Sequence, residues 1–411
     1  MTSVLIKNVT LPWGERSDVS VIGNKIAEIG RRITGEHEHV VDGTGCLLIP
    51  GLVNTHTHAA MTGFRGIADD MPLQEWLENH IWPAEKENVN PEFVYWNTLL
   101  ACVEMLRSGT TGFVDMYFHE DRVMQASEKA GIRVWAGEGI LGLMEPVEET
   151  LEKTRTLLKK KTELANVIVT PHSVYGCNEE ELMTAKEFAL ERGLLVQIHA
   201  AENIKEVKEF MERTGMRPVE FLHSIGFLDE KTILAHGVWV TDQEIMFVRE
   251  DGASVSYNPE SNAKLGSGVA PVVEYAREGV NVTIGTDGCA SNNNLDMIQE
   301  MRTALFLQKV LHKDPACLKA EQAFKMATEN AYSFLELNAG LFEGAVADLV
   351  LVSLKKPHMQ PVHDALSNLV YSGSGSDVVM TMVNGKIVYD GENVLGVDEQ
   401  EVLEKVKGFW E

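Results

Sequence analysis

With 411 residues, 44% of them hydrophobic and 24% charged, the chain can bury a large core and exceeds the usual size of one domain. Its formal net charge of −25 argues against nucleic acid or an anionic membrane as partner, because phosphates would be repelled. The five cysteines (Cys46, Cys102, Cys177, Cys289, Cys317) are odd in number and scattered, which fits reduced thiols in a cytoplasm. The opening Met1–Lys7 lacks the basic and apolar segments of a signal peptide, and no apolar run is long enough to span a bilayer.

In chain order, residues 2–48 read as short strands and turns. Ser17–Ile22 alternates, Gly23-Asn24 supplies turn chemistry, and Lys25–Gly30 alternates again. The same signature returns at the other end, in Val379–Val383, Asn384-Gly385 and Lys386–Tyr389. Neither end has enough apolar surface for a core alone, so residues 1–50 and 346–411 are expected to build one small composite β-sandwich domain. Residues 51–345 alternate short apolar strands with amphipathic helical segments such as Glu179–Arg192 and Leu295–Leu311. Candidate strands are Leu48–Asn54, Thr111–Met116, Arg133–Ile140, Val167–Pro171, Leu195–His199, Thr232–Ala235, Ser254–Tyr257 and Val282–Thr286. Eight strands alternating with helices predict an α/β fold, a (β/α)₈ barrel rather than an open sheet.

Polar residues gather just after these strands, where barrel enzymes keep their active sites. His56-Thr57-His58 follows the first, and residues two apart on an extended strand face one side, so both imidazoles can reach one metal ion. Alone that spacing is common. Thr170-Pro171-His172-Ser173 ends the fourth strand, His199-Ala-Ala-Glu202 the fifth, Ala235-His236-Gly237 the sixth and Gly285-Thr286-Asp287-Gly288 the eighth. Each has an ordinary explanation by itself, as a core histidine or a turn aspartate. Chance does not readily place all of them at the carboxyl ends of strands.

In this order Pro50–His58, His199, His236 and Asp287 resemble the amidohydrolase superfamily, over essentially the whole chain. The resemblance implies His56, His58, His199 and Asp287 as ligands of one Zn²⁺, or another divalent ion such as Fe²⁺, per subunit. Binuclear members carry a carboxylated lysine at the end of the fourth strand. Val167–His172 has none, and Lys159–Lys161 read as a solvated charge run, so a mononuclear site is expected. Such a set leaves a position for water and lowers its pKa. The resemblance assigns catalysis to Asp287 as the group taking the water's proton, His236 as hydrogen-bond partner of the attacking oxygen, and Glu202 as proton carrier. His-x-x-Glu at this strand end belongs to the deaminating branch.

The chain is most similar to the 5′-methylthioadenosine/S-adenosylhomocysteine deaminases. The runs that carry this are Met71–Trp76, Trp82–Glu85, Gly112–Tyr117, Thr170–Ser173, His199–Glu202, Asn258-Pro259 and Thr286–Asn292. They imply a small-molecule nucleoside substrate contacted by Glu85 at the ribose hydroxyls, with His172, Glu202, Trp76 and Ser291 as further contacts. The family often forms homo-oligomers. Members that bind the homocysteine tail use arginines after the third strand, whereas Val134–Glu145 here holds carboxylates and no arginine. Arg133 is expected within the strand and out of reach, and Glu138 would repel a tail carboxylate. Uncharged 5′ groups are therefore expected, with Leu143 and Met144 as an apolar wall or as ordinary packing. The same ligands also suit a guanine or 8-oxopurine deaminase or a triazine chlorohydrolase. A hydantoinase-type enzyme is disfavoured by the missing lysine, and a non-catalytic scaffold by the complete ligand set.

Overall fold

The computed structural model describes residues 2–71 and 73–411, the side chains of Leu73 and Gln74 excepted. Pro72, within the Met71–Trp76 run, lies outside the described residues. Among the described residues no helix is long and apolar enough to cross a membrane.

Both chain ends contribute to one large sheet. Its strands are β1 (Ser3–Thr10), β2 (Arg16–Ile22), β3 (Lys25–Gly30), β4 (His39–Asp42) and β5 (Cys46–Pro50). The chain then leaves for some 300 residues and returns with three more, so the sheet order runs from the last strand inward through Leu349–Ser353 to β5, β1, β2 and β3. The two predicted hairpins form. Ile22 pairs with Lys25 across Gly23-Asn24, and Val383 pairs with Lys386 across Asn384-Gly385. Asn384 (φ 52°) and Gly385 (φ 76°) both take the left-handed backbone that a two-residue hairpin loop needs. Alternate residues Val4, Ile6, Val19, Val21, Leu349 and Leu351 bury one face as a separate apolar cluster.

The middle of the chain is parallel. It comprises β6 (Leu52–Thr57), β7 (Thr110–Tyr117), β8 (Arg133–Ile140), β9 (Ala165–Val167), β10 (Thr170–Pro171), β11 (Val196–Ala200), β12 (Thr232–His236), β13 (Ser254–Tyr257) and β14 (Asn281–Ile284). After these come β15 (Leu349–Ser353), β16 (Val378–Val383) and β17 (Lys386–Tyr389) of the terminal sheet. One parallel sheet runs β6 to β10 and a second β11 to β14, and helices separate the successive strands except β9 and β10. Parallel bridges Val169–Val196 and Ser173–His199 link the two sheets. At the other side Thr55 Oγ1 bonds Thr283 Oγ1 (2.7 Å) and Ser256 Oγ (2.8 Å), and Asp287 N donates to His56 O (2.9 Å). Val53, Val114, Trp135, Ile168, Leu195 and Ile233, in or beside six successive strand positions, make one apolar cluster with Ala331, Tyr332, Phe334 and Leu335.

Two strand assignments differ from expectation. Leu48–Asn54 is not one strand: β5 pairs antiparallel with β15, whereas β6 pairs parallel with β7. The apolar run continues across the break. Gly51 marks it, and a Cβ there would lie 2.0 Å from Thr111 Oγ1. Val167–Pro171 splits as well, because Ile168 N donates to Ala136 O and Val169 N to Leu195 O, so the backbone changes partner mid-strand. The last helix, Glu399–Lys407, leaves the terminal sheet. Beyond it, Phe409 and Trp410 pack on Phe93 and Phe64 of the central part.

Candidate active site

The histidines predicted from strand ends converge on His56, which is wholly buried. Ligand atoms of His56, His58 and His199 lie within 4.8 Å of one another, as do those of His56, His236 and Asp287. Asp287 Oδ1 stands 3.2 Å from His58 Nε2 and 3.6 Å from His56 Nε2. His236 and Asp287 sit at left-handed φ (74° and 62°), so the chain turns sharply as it leaves β12 and β14.

The far nitrogen of each histidine explains why the near ones are free. Gln197 Nε2 donates to Thr55 O (2.7 Å), which aims Gln197 Oε1 at His56 Nδ1 (2.9 Å). His58 Nδ1 donates to Met116 O (2.5 Å) and His199 Nδ1 to His172 O (2.8 Å). All three Nδ1 atoms thus carry a proton, and all three Nε2 atoms face the cluster. His56 Nε2 is buried without a hydrogen-bond partner. A buried nitrogen left unpaired among two imidazoles and a carboxylate fits a divalent metal ion as its partner.

Electrostatics agrees. Burial, opposed by Asp287, holds His56 down to about 4. Burial, reinforced by His172 and His56, holds His199 well below its usual value. Both are therefore neutral and ligand-ready at neutral pH. Burial also disfavours charge on His58, but Asp287 and the Met116 carbonyl outweigh it and push His58 up to about 9. Asp287 is held well below the carboxylate range, the two histidines prevailing over burial. The spot favours positive charge, for which a proton and a metal ion compete.

Around the cluster lie the proton-handling groups. Glu202, on the loop after β11, has Oε2 4.0 Å from His236 Nε2, and burial, then the Asp287 charge, pushes it up to about 8. Amide nitrogens of Asn262 (2.9 Å) and Asn258 (3.3 Å) face His236 Nδ1. His172 stacks obliquely on His199 at 4.6 Å, its Nδ1 bonded to Ser173 Oγ (3.0 Å). Glu85 accepts from Tyr117 OH (2.6 Å), and burial raises its pKa.

The other residues singled out in the sequence lie around and beyond this cluster. Ser291 Oγ donates to Asp287 Oδ2 (2.7 Å), as Ser261 Oγ does (2.6 Å), so its hydroxyl proton is engaged with the aspartate. Trp76 is buried, its N–H already given to Ala68 O (3.0 Å), which leaves only a ring face to offer. Leu143 and Met144 are 84% and 73% exposed, so neither is packed into the core. Arg133 is at the opposite end of β8, bidentate to Asp348. Glu138 accepts from the Glu120 backbone N (3.0 Å).

Sequence reading missed Gln197, Ser261, Asn262, Ser267, and Tyr117 as the partner of Glu85. Gln197 alone carried a signal, a polar residue inside the apolar strand Val196–Ala200.

The amidohydrolase family matches residues 47–388, and the chain belongs to it. A 5′-deoxyadenosine deaminase of Methanothermobacter thermautotrophicus is 45% identical over 397 residues, 95% of this chain and 93% of that one. A 5-methylthioadenosine/S-adenosylhomocysteine deaminase of Pyrococcus furiosus is 43% identical, covering 98% of this chain and 99% of its own. Among solved structures, an adenosine deaminase from Xanthomonas campestris with bound zinc superposes with a TM-score of 0.96 at 32% identity, over 100% of this chain and 98% of that one.

Proposed function

We propose that the chain is a metal-dependent hydrolytic deaminase that converts an adenosine-type nucleoside to its inosine analogue and ammonia. The observation that carries this is the convergence of three Nε2 atoms, one aspartate, Glu202 and His236. The relatives named above support the substrate class. His56, His58, His199 and Asp287 would hold one zinc ion, with no lysine in β9 or β10 to bridge a second. When bound, that ion supplies Lewis-acid activation of water at neutral pH.

The chain's own groups do the rest. Asp287, with Oδ2 pinned by two serines, takes the water's proton as oxygen adds to C6 of the purine. Glu202, protonated at neutral pH, gives its proton to the adjacent ring nitrogen and makes C6 electrophilic. The Nε2–H of His236 donates to the added oxygen. Glu202, now a carboxylate, takes the remaining proton of the added hydroxyl and passes it to the amino group; the C–N bond breaks, ammonia leaves as C=O forms, and the proton held by Asp287 returns to Glu202. Glu85, fixed by Tyr117, receives the ribose hydroxyls and His172 contacts the nucleoside.

We infer further that the eight parallel strand positions close into a (β/α)₈ barrel over residues 51–345, supported by the links at both sheet edges. Residues 1–50 and 346–411 form the second domain, a composite β-sandwich, with the last helix lying across the boundary. Five free cysteines fit a cytoplasmic protein.

The test is ammonia release, and absorbance loss as adenine becomes hypoxanthine, across 5′-methylthioadenosine, 5′-deoxyadenosine, adenosine, S-adenosylhomocysteine, adenine, guanine and a chlorotriazine. Turnover of nucleosides above free bases is expected. A preference for guanine or the triazine would hand the site to that branch instead. With no cation in Val134–Glu145, kcat/KM for S-adenosylhomocysteine should fall below that for methylthioadenosine. Equal values would mean that the tail finds its counter-charge elsewhere.

A further inference from the structure

All three proton-handling groups of the site are touched by one short segment, the turn and helix that follow β13. This segment, Asn258–Gly268, supplies Ser261 Oγ to Asp287 Oδ2 (2.6 Å), Asn262 Nδ2 to His236 Nδ1 (2.9 Å) and Ser267 Oγ to Glu202 Oε1 (3.3 Å). Ser261, Asn262 and Ser267 are buried, so none is present as a solvating surface group. The segment is itself tied down. Ser267 N donates to Asn262 O (2.9 Å), and Trp239 Nε1 donates to Ser267 O (2.5 Å). Gly266 (φ 64°) and Gly268 (φ 126°) supply the backbone turns that present the Ser267 hydroxyl to Glu202.

The opposite side of Glu202 is held as firmly. Ala201, at φ 52°, turns the chain, and the Glu206 carboxylate accepts the backbone N–H of both Ala201 (3.0 Å) and Glu202 (2.8 Å). With the backbone clamped from one side and Oε1 engaged from the other, one oxygen remains. That oxygen is Oε2, the one facing His236.

Resting on the deaminase reading above, we propose that Asn262 and Ser267 are positioning residues of the reaction. Asn262 donates to His236 Nδ1 and so keeps the ring proton on Nε2, where the attacking oxygen needs a donor. Ser267 donates to Oε1 of Glu202 and so reserves Oε2 for moving the proton. Neither touches the substrate; each sets which atom of its partner acts. A polar pair at such short range also fixes direction, and a misplacement of about 1 Å in an acid–base group costs on the order of a hundredfold in rate.

The experiment uses zinc-loaded protein and 5′-methylthioadenosine. Ser267→Ala should lower kcat about tenfold with KM within twofold of wild type, and Ser267→Thr, which keeps the hydroxyl, should recover most of it. Asn262→Asp, which offers Nδ1 an acceptor in place of a donor, should lower kcat about a hundredfold with zinc content unchanged. Independently of turnover, ¹⁵N spectra of histidine-labelled wild type, assigned against His236→Asn, should put the His236 proton on Nε2. A ring proton on Nδ1 overturns the Asn262 assignment. Full activity in Ser267→Ala, or Ser267→Thr as slow as the alanine variant, overturns the Ser267 assignment. Wild-type protein inert toward every adenosine analogue would remove the deaminase reading and the Ser267 role with it, while the ring-proton measurement would still decide the Asn262 assignment.

Discussion

Two side chains decide the site's chemistry in different ways. Glu202 is buried and raised to about 8, so at neutral pH it holds the proton that the reaction consumes and returns. Glu202→Gln keeps the shape and an acceptor for Ser267 but cannot cycle a proton. It should retain its zinc while kcat falls by about 10²–10⁴-fold, the range for losing a general acid. Turnover near wild type would remove Glu202 from the mechanism. Gln197 acts one step further out, because its Oε1 fixes which nitrogen of His56 is free. Gln197→Leu leaves that ring to rotate and tautomerise, and chelator competition should find zinc bound about 10–100-fold more weakly. The ligands themselves were legible in the sequence, since histidines and aspartates at strand ends stand out against apolar runs. Their supports were not. Ser261, Asn262 and Ser267 sit in a segment with no periodicity, and a serine or asparagine there reads as ordinary loop chemistry until the fold brings it to its partner.

Between elements, most strands of the parallel region and the two terminal hairpins were readable from apolar runs and Gly-Asn and Asn-Gly turns, but the junctions were not. At the Gly51 break, β5 and β6 are one continuous apolar run in two sheets, and only the close approach of Thr111 separates them. Just beside that break, Arg133 of β8 meets Asp348, next to β15, through bonds of 2.6 and 3.2 Å, and Asn384 joins both. The pair is buried on both sides. Asp348→Asn leaves an arginine without its charge partner in the seam, and should cost about 3 kcal/mol in denaturant unfolding. Loss of less than 1 kcal/mol would mean that water reaches the seam. A second ion cluster lies nearer the chain end. Burial raises the Asp377 pKa, but bonds from His358 (2.9 Å), Lys356 (2.9 Å) and Ser374 N (2.8 Å) outweigh it and leave the carboxyl below its usual 3.8. A carboxyl depressed in the folded state adds stability above its unfolded pKa, and that stability is lost as pH falls through the folded value. The advantage of wild type over Asp377→Asn in chemical denaturation should therefore be present at pH 6 and shrink toward pH 3.

At the scale of the whole molecule, the cluster gathers residues as far apart as His56, in the first strand of the parallel region, and Asp287, just after the last. Metal binding therefore reports on the completed fold, because no local segment can hold the ion alone. The core does not depend on it: the terminal sheet and the layer around Tyr332 bury their apolar side chains without any ligand atom. Chelation should abolish deamination while far-UV circular dichroism stays native, and zinc should restore activity. An ion that binds only the folded chain stabilises it by RT ln(1 + [L]/Kd), about 2.7 kcal/mol at a hundredfold excess over Kd. The melting temperature should accordingly rise with free zinc and level off in no condition where binding is still increasing. In a His56→Ala variant the dependence should vanish, since it removes the nitrogen on which both groups of ligand atoms converge. A melting temperature indifferent to zinc in wild type, with activity surviving exhaustive chelation, would leave these histidines as core residues and the water without its activator.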